Sequence, residues 1–367
     1  MKNWDIVILG GARDFHAMDW YRAVKRICEK KSVVFLTDSL EAEGLNDLSQ
    51  PGDQIEKLFI IDSFLPQRMQ IWLRPWKIFV KLAFLPIQII LLRRFYFASG
   101  RPIIHAHPMY FMLLSRLARV PFIGTPQGDE LLIHPQKNKL YKLIARWVLQ
   151  GSSSVIVDSE QMKKAAKDIS YIEAHVIQNG INMAEINSVA KTKAPRFRIV
   201  SNRGLMEIYQ IDKIMHARDA QLPNLGITFS YPFANPDYQG IISQLMTEKD
   251  ENIGRLELKV DLYKILRETL LVVSIPKSDS SPRSIYEAIF CGCCIAATPN
   301  PWIDALPLTM RSRIYIVDLD NPRWLEEAYE FSSLANRIPF EPCEDSINTY
   351  DEDSSLRIAV EKFYFNQ

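Results

Sequence analysis

Short apolar segments alternate with segments of helical period along most of the chain, and this alternation constrains the fold more than any other feature. The apolar segments are rich in Val, Ile and Phe, and helical stretches such as 17–30 and 139–149 lie between them. Such alternation predicts parallel sheets covered by helices. The predicted strands are 5–9, 32–36, 58–61, 102–105, 121–125, 154–157, 175–178, 197–201, 226–231, 270–275, 294–298 and 314–317.

The alternation is interrupted once, at 187–196, where polar residues and Pro195 predict a linker. A chain of 367 residues has room for two domains. We therefore predict an α/β protein with two Rossmann-like, doubly wound domains at 1–190 and 191–345. Residues 346–367 form a tail with an amphipathic helix at 356–365, which is expected to pack back on the first domain. Ligands of such sheets bind beyond the carboxyl ends of the strands, so we expect a cleft between the domains to be the site.

Composition excludes several classes of protein. Lys plus Arg number 44 and Asp plus Glu 43, so the net charge predicts no nucleic-acid partner. Five cysteines in no framework spacing indicate a reducing, cytoplasmic environment. The CGCC sequence at 291–294 has core-like neighbours and no His or carboxylate at ligand spacing. It therefore favours buried thiols over a metal cluster.

The segment 66–97 is apolar and basic, with two Trp and no acidic residue. Pro86 and Lys81 interrupt its longest apolar run, which is shorter than the roughly 20 residues that span a bilayer. One interpretation is an interfacial helix that holds the protein on the inner face of the cytoplasmic membrane. The other is a pair of core helices whose cations extend to solvent.

The segment 274–295, SIPKSDSSPRSIYEAIFCGCCI, reads as a strand end, a polar loop and a helix. Pro282 lies near the first helical position, and Asp279 and Ser280 are expected to cap the helix. Free amides at a helix start, with Arg283 beside them, are suited to a phosphate or diphosphate. Glu287 lies one turn farther on, where it can accept hydrogen bonds from a ribose diol. The alternative is an ordinary capped helix with a structural carboxylate.

The pattern S-D-x-x-P-x-S-x-x-E-A in this segment resembles the E-x7-E signature of retaining family 4 glycosyltransferases of the GT-B fold, here as D-x7-E. Further segments resemble the family in the same order along residues 5 to 300. These segments are HAHPMYFMLLSRLARVPFIGTPQGDEL, SSSVIVDSEQMKKAA, VIQNGIN and IVSNRGLMEIYQIDKIMHA.

The resemblance implies transfer of a sugar, of hexosyl type, from a nucleotide sugar, with no metal and no other cofactor. Glu287 would hold the donor ribose, Asp279 would lie beside the donor sugar, and Arg203 would neutralise the diphosphate. Ser280, Ser281, Arg283, Gly11 and Lys213 complete the predicted donor site. The predicted acceptor side consists of Gly10, Gln127, Asp129 and Asn179.

Several positions depart from the family pattern. The Lys expected about five residues after Arg203 is replaced by Ile208 or Tyr209, for which Lys213 is a possible substitute. A family histidine corresponds to Gln127, and His107, at the end of a strand with His105, is the candidate to line the site in its place.

The resemblance also gives an expectation for the function. The protein is predicted to move a sugar to a saccharide or lipid-linked acceptor, with retention, in bacterial surface polysaccharide or glycolipid assembly. As the glycosidic bond breaks, cations and helix amides stabilise the departing diphosphate. A GT-B epimerase, a GT-B phosphorylase and a non-catalytic protein that binds nucleotide sugars stay open as alternatives.

Overall fold

The computed structural model divides into two compact units, Met1–Asn179 with Ser355–Gln367, and Gly180–Ser354. These limits differ from the boundaries predicted after residues 190 and 345. The C-terminal residues from Ser355 belong to the first unit. The structure describes residues 2–11, 14–37, 49–58, 77–178, 180–190, 196–256 and 258–365.

The first unit contains a seven-stranded sheet in which all neighbouring strands are parallel. Its order is β3-β2-β1-β4-β5-β6-β7, so the direction of winding reverses between β1 and β4. The strands are β1 (Ile6–Leu9), β2 (Val33–Thr37), β3 (Ile55–Lys57), β4 (Ile103–Ala106), β5 (Phe122–Gly124), β6 (Ser154–Val157) and β7 (His175–Val176).

The strand predicted at 58–61 is misplaced at its start. The third strand lies at Ile55–Lys57, and Leu58 follows it outside the strand. Residues 59–61 lie outside the described part of the chain. This strand, IEK, lies at the edge of the sheet and contains two polar residues. The hydrophobic pattern therefore did not predict it.

Helices connect the strands of the first unit. Asp14 starts α1 earlier than the predicted residue 17, because its side chain accepts a hydrogen bond from the backbone N–H of Ala17 at 3.1 Å. The helices are α1 (Phe15–Ile27), α2 (Lys77–Ala98), α3 (Met109–Ala118), α4 (Gly128–Leu132), α5 (His134–Lys137), α6 (Lys139–Leu149) and α7 (Glu160–Ser170).

The second unit has a six-stranded parallel sheet of order β10-β9-β8-β11-β12-β13. Strand β10 was not predicted, because its sequence ENIG is polar and contains Gly. The strands are β8 (Phe197–Ser201), β9 (Ile227–Ser230), β10 (Glu251–Gly254), β11 (Thr269–Ser274), β12 (Cys294–Ala297) and β13 (Ile314–Ile316).

The remaining helices belong mainly to the second unit, with a 3-10 turn at Glu207–Tyr209. They are α8 (Met183–Ser188), α9 (Ile211–Gln221), α10 (Pro236–Leu245), α11 (Lys259–Arg267), α12 (Arg283–Cys291), α13 (Pro301–Asp304), α14 (Leu308–Arg311), α15 (Trp324–Ala335) and α16 (Glu344–Tyr350). The chain then continues through α17 (Glu352–Ala359) and a π-helical turn at Val360–Tyr364.

Alternate residues of the strands bury two hydrophobic layers in the first unit. Val7 and Leu9 pack with residues of α2, α3, α6 and α7. Ile6 and Ile8 pack with α1 and with the C-terminal residues from Leu356 onward. The two faces of the sheet therefore carry different helices, with α2, α3, α6 and α7 together on one face.

The cysteines of the CGCC sequence are buried in the second unit, as predicted. Burial raises the pKa of the Cys291 thiol to about 12 and also raises the pKa of Cys293 and Cys294. These thiols are therefore core residues in the protonated form.

The basic segment 66–97 is described from residue 77 onward, and its earlier part lies outside the described residues. From Lys77 the segment is helical as α2, and Pro86 lies inside the helix. Leu92 and Phe95 are buried, whereas Ile87 and Ile90 are exposed. No helix in the described ranges combines the length and the apolar character that crossing a membrane requires.

Candidate functional site

Polar side chains of the second unit gather at the carboxyl edge of its sheet. The order of the strands reverses between β8 and β11, which is where doubly wound sheets bind ligands. Arg203 follows β8, and the loop that carries Asp279 follows β11. Two hydrogen bonds join these loops: the backbone N–H of Lys277 donates to the Ile208 carbonyl at 2.8 Å, and the Gln210 side chain donates to the Ile275 carbonyl at 2.6 Å.

Arg203 is at the centre of this group and is only 8% exposed. Its Nη2 lies 2.6 Å from Oδ2 of Asp279, and its Nη1 donates to Oγ of Ser284 at 2.8 Å. The guanidinium carbon lies 4.5 Å from the centre of the Tyr209 ring. The guanidinium is therefore held on three sides, which fixes its direction before any ligand binds.

The loop before α12 differs from the prediction. Asp279 and Ser280 do not cap the helix: Pro282 is the N-cap residue, and no side chain caps the amides of the first turn. Asp279 instead pairs with Arg203, and its backbone carbonyl accepts a hydrogen bond from the Asn300 side chain at 3.1 Å. The Ser281 hydroxyl lies 3.3 Å from the hydroxyl of Tyr286.

Glu287 is buried on α12, one turn beyond its start. Its Oε1 accepts a hydrogen bond from the Tyr263 hydroxyl at 3.1 Å and lies 3.5 Å from Nζ of Lys259. Both partners come from α11, which packs beside α12. A buried carboxylate with these partners is oriented by its surroundings.

Arg283, predicted to add a cation at the start of the helix, lies close to two carboxylates. Its Nε lies 3.6 Å from Oε1 of Glu287, and its Nη2 lies 3.5 Å from Oε1 of Glu352. Lys213 is exposed on α9, and within the described residues no ion pair or side-chain hydrogen bond joins it to this group.

Asn202 is a residue that sequence reasoning missed. It directly follows β8 in the chain and is buried. Its side-chain nitrogen donates to the Ser284 carbonyl at 3.0 Å. Its Oδ1 is buried with no hydrogen-bond partner in the described chain. Its position directly before Arg203 was the only signal in the sequence.

In the first unit, the corresponding edge lies beyond β1 and β4. Gly10 follows β1, and a Cβ there would lie 2.8 Å from Cβ of Ala17. The close packing of α1 therefore requires this glycine. A Cβ at Gly11 would make only ordinary contacts, at 3.8 Å from the Phe111 ring and 3.9 Å from Asp14.

Two buried histidines, His105 and His107, lie at the end of β4. Both ring nitrogens of His105 have partners: Nδ1 lies 2.5 Å from the Tyr364 hydroxyl and Nε2 lies 2.8 Å from the Thr125 hydroxyl. His107 has a buried Nε2 for which the described chain offers no partner. Burial lowers the pKa of His107 to about 3, so this imidazole is neutral near pH 7.

Gln127, in the loop after β5, and Asp129, in the first turn of α4, lie at the same edge, and both are exposed. The Gln127 side chain donates to Oδ2 of Asp14 at 3.3 Å, and the Asp129 carboxylate lies 3.6 Å from Nε2 of His134. The structure therefore groups Gln127 with Asp14. Asn179 lies outside the described residues.

Glu130 was also missed by the sequence analysis. Its Oε2 accepts hydrogen bonds from the backbone N–H of Gln127 at 2.8 Å and of Met109 at 2.9 Å. Burial nevertheless raises the pKa of Glu130 to about 7. The signal was a carboxylate three residues after the N-cap residue Gln127, which is the capping-box spacing.

Comparison with known proteins supports the same fold. The model of Glycosyltransferase Family 4 matches residues 62–185. No curated protein matches the chain.

Several solved structures match over nearly the whole chain. HepE from Anabaena in complex with UDP is 14% identical, with a TM-score of 0.70, and the match covers 98% of this chain and 99% of HepE. Sucrose-phosphate synthase from Thermosynechococcus elongatus is 12% identical, with a TM-score of 0.71 and 98% of each chain covered. A putative UDP-N-acetylglucosamine 2-epimerase from Listeria monocytogenes is 14% identical, with a TM-score of 0.58, 99% of this chain and 97% of that chain covered.

These matches, with the two parallel sheets, confirm the predicted fold class of two Rossmann-like domains of the GT-B kind. The predicted likeness to family 4 is confirmed by the family model in the first half of the chain. At these identities the structural matches establish the fold, and the chemistry has to be argued from the residues.

Proposed function

We propose that this family 4-like GT-B chain is a glycosyltransferase that moves a hexosyl group from a nucleotide sugar to a saccharide or lipid-linked acceptor, with retention and without a metal ion. The observation that carries the proposal is the arrangement around Arg203, with Asp279 and Ser284 in contact and Glu287 on the adjoining helix. HepE, which shares the fold, was crystallised with UDP and with UDP-glucose.

The diphosphate is proposed to bind between Arg203 and the start of α12. Arg203 supplies a positive charge whose direction is set by Ser284 and Asp279. The start of α12 supplies the positive end of the helix dipole, and no side chain caps it, while the backbone N–H groups of Arg283 and Ile285 donate to the carbonyls of Ser281 and Pro282. A nucleoside diphosphate fits this combination because its oxygens accept hydrogen bonds from a guanidinium and its negative charge is favoured at a helix start.

The ribose is proposed to bind at Glu287. A carboxylate can accept hydrogen bonds from both hydroxyls of a ribose diol. Tyr263 and Lys259 orient this carboxylate through its Oε1. The spacing of one helical turn between the uncapped amides and Glu287 suits the short distance between a diphosphate and the ribose that it esterifies.

The chemistry follows from where charge develops. The bond between the anomeric carbon and the diphosphate oxygen breaks, the acceptor hydroxyl oxygen forms the new bond, and its proton passes to the departing diphosphate. Arg203 and the α12 amides stabilise the negative charge that the diphosphate gains. Retention follows if the acceptor enters on the face that the diphosphate leaves, and the chain then contributes position rather than a dedicated base.

The acceptor is proposed to bind at the carboxyl edge of the first sheet. Gln127 and Asp14 offer a donor and an acceptor there, as sugar hydroxyls require. His107 is neutral, so its Nε2 would hydrogen-bond a hydroxyl instead of carrying charge. The acceptors proposed for this site are precursors of surface polysaccharides or glycolipids.

Calorimetry with Glu287 variants tests the proposal. A thermal-shift screen over UDP, GDP, CMP and ADP first selects the nucleotide, since a bound ligand stabilises the folded chain. Glu287→Ala should then weaken its binding about a hundredfold, because two hydrogen bonds to a charged group are lost. Glu248→Ala, which changes an exposed carboxylate of the same unit, is the matched control. Equal affinities for the two variants would refute the assignment of Glu287.

An epimerase is a second candidate, because the Listeria protein named as a putative UDP-N-acetylglucosamine 2-epimerase shares the fold. An epimerase changes a nucleotide sugar without an acceptor. NMR of the donor, incubated with the protein alone, separates the two functions. A non-catalytic binding protein would bind the nucleotide and leave the donor unchanged with every acceptor, and a phosphorylase would show the absorbance of its pyridoxal cofactor.

A further inference from the structure

Helix α6 presents an apolar stripe to solvent. Leu140, Leu143, Ile144 and Trp147 are 66%, 59%, 37% and 43% exposed. Their spacing of three, four and seven residues places them on one side of the helix. The opposite side already fills the core with Ala145, Val148 and Leu149. A helix of a globular protein buries one apolar stripe, so a second stripe of this kind needs its own partner.

Helix α2 repeats the feature. Leu92 and Phe95 are buried in the core, while Ile87, Ile90 and Phe97 are exposed at spacings of three and seven residues along the outer side. The exposed residues are large and apolar. A helix with apolar residues on both sides again lacks an ordinary polar outer face.

The two stripes lie on the same face of the first sheet. Helices α2, α3 and α6 share one hydrophobic layer, and α3 packs against both of the others. The guanidinium of Arg116 on α3 lies 5.2 Å from the centre of the Trp147 ring on α6. We call the solvent-facing side of α2, α3 and α6 the outer helix surface.

The charged side chains of the outer helix surface are all positive. The sequences of α2, α3 and α6 contain no Asp or Glu. The whole chain is almost balanced, with 44 basic and 43 acidic residues, so this distribution is local. Cations lie against aromatic rings here: Arg93 on α2 and Arg101, three residues beyond the end of α2, lie 5.9 Å and 5.3 Å from the centre of the Phe97 ring. The further cations of these helices with described side chains are Arg94, Lys139, Lys142 and Arg146.

We propose that the outer helix surface docks on an anionic lipid bilayer. Exposed Leu, Ile, Phe and Trp side chains enter the boundary between head groups and acyl chains, and the interleaved cations meet the anionic head groups. Long Lys and Arg side chains suit this arrangement, because their stems lie along apolar surface while their charges reach the polar layer. The proposal does not depend on the proposed sugar transfer, and it extends the predicted membrane segment to α6.

Other occupants fit less well. A second copy of the chain would bring two cationic surfaces together, which like-charge repulsion opposes. Nucleic acid would meet the cations but would leave the aliphatic stripe of Leu140, Leu143 and Ile144 without an apolar partner. A bilayer with anionic lipids satisfies both components of the surface.

Vesicle flotation tests the proposal with the full chain. The protein should float with vesicles of phosphatidylglycerol and phosphatidylcholine in equal parts, and much less with vesicles of phosphatidylcholine alone. Salt at about 1 M, where the Debye length is about 3 Å, should weaken the binding. Failure to bind the anionic vesicles at low salt would overturn the proposal.

Variants locate the binding surface. Leu143→Ser should reduce the vesicle partition coefficient about tenfold, whereas Leu308→Ser, at a 78% exposed position of the second unit, should leave it unchanged. Lys142→Glu should reduce it more than fivefold, because each cation near the surface contributes about a factor of five. Lys30→Glu, outside the outer helix surface, is the charge control.

The outcomes separate the occupants. Circular dichroism and thermal melts check that the variants fold, which their exposed positions favour. If Leu143→Ser and Lys142→Glu bind vesicles as the controls do, the proposal is wrong. If sedimentation shows a dimer that Leu143→Ser abolishes while vesicles do not bind, the partner is a second copy and the lipid proposal is likewise overturned.

Discussion

Variants of Arg203 and Asp279, which are in contact, allow the contribution of this pair to stability and the proposed contribution of Arg203 to catalysis to be measured separately. The two side chains are 8% and 14% exposed, and their charged atoms lie 2.6 Å apart. Arg203→Met would leave the Asp279 carboxylate largely buried without its cation, which we expect to cost about 3 kcal/mol of unfolding free energy. Asp279→Asn leaves Arg203 its contact with Ser284 and should cost about 1 kcal/mol.

The double variant Arg203→Met with Asp279→Asn carries no unpaired charge at this position. The double variant should therefore lose about 2 kcal/mol less unfolding free energy than the two single variants lose together. This difference is the coupling expected for two groups in direct contact. Urea unfolding of the four proteins measures this coupling. Salt should reduce it little, since both groups are mostly shielded from solvent.

Activity should follow a different pattern. Under the proposed function Arg203 stabilises charge on the departing diphosphate, so its loss should lower kcat about a hundred- to a thousandfold in the single and in the double variant. Arg203→Lys keeps the charge but loses the forked contact, and should recover only part of the rate. If the double variant regained activity together with stability, or if Arg203→Met kept kcat within about threefold, the catalytic assignment of Arg203 would be refuted.

Three further predictions concern single side chains. Tyr263→Phe removes one hydrogen bond to the Glu287 carboxylate, worth about 1.5 kcal/mol, and should weaken nucleotide binding about tenfold in calorimetry; unchanged binding would contradict a role for this pair. Burial raises the pKa of Glu130 from 4.5 to about 7, so the folded chain keeps a proton that the unfolded chain has lost. Unfolding free energy should therefore fall between about pH 4.5 and about pH 7, by at most about 1.4 kcal/mol per pH unit, and Glu130→Gln should remove that slope in urea titrations. Burial lowers the pKa of His107 from 6.5 to about 3, so the unfolded chain binds a proton that the folded chain excludes. Stability should fall as the pH drops below about 6.5, and His107→Asn should reduce this acid slope by about 1.4 kcal/mol per pH unit; an unaltered slope would show that another group titrates.

Much of the fold could be predicted because its strands are apolar and lie between helices. Strands β6 and β8 occur at the predicted residues, and α6 has the predicted bounds. Strand β10 could not be found in this way, because an edge strand needs little apolar surface and its pairing with β9 is set by the backbone.

The candidate site was predicted in part. The spacing of Asp279 and Glu287 led to α12, and Arg203 was expected near the diphosphate. The contact of Arg203 with Asp279 was not predicted, because it joins loops after two strands that are far apart in sequence. Tyr263 and Lys259 were missed for a related reason: they lie on α11, and only the packing of α11 against α12 brings them to Glu287.

The start of α12 shows how a local sequence rule can fail when a tertiary contact takes the expected capping residue. Polar residues before a helix usually cap it, and Asp279 and Ser280 were expected to do so. Asp279 pairs with Arg203, and Pro282, which has neither an N–H nor a polar side chain, occupies the N-cap position. The amides of the first turn are thus left without a side-chain cap.

This missing cap matters because the ion pairs at this edge of the second sheet balance. The pairs contain three cations and three anions, so the paired side chains together offer a diphosphate no net positive charge. Under the proposed function the additional positive potential comes from the start of α12, since a helix N-terminus carries about half a positive charge. A capping carboxylate would add negative charge at this helix start, where the phosphate oxygens are proposed to bind. The paired residues are Arg203 with Asp279, Lys259 and Arg283 with Glu287, and Arg283 with Glu352.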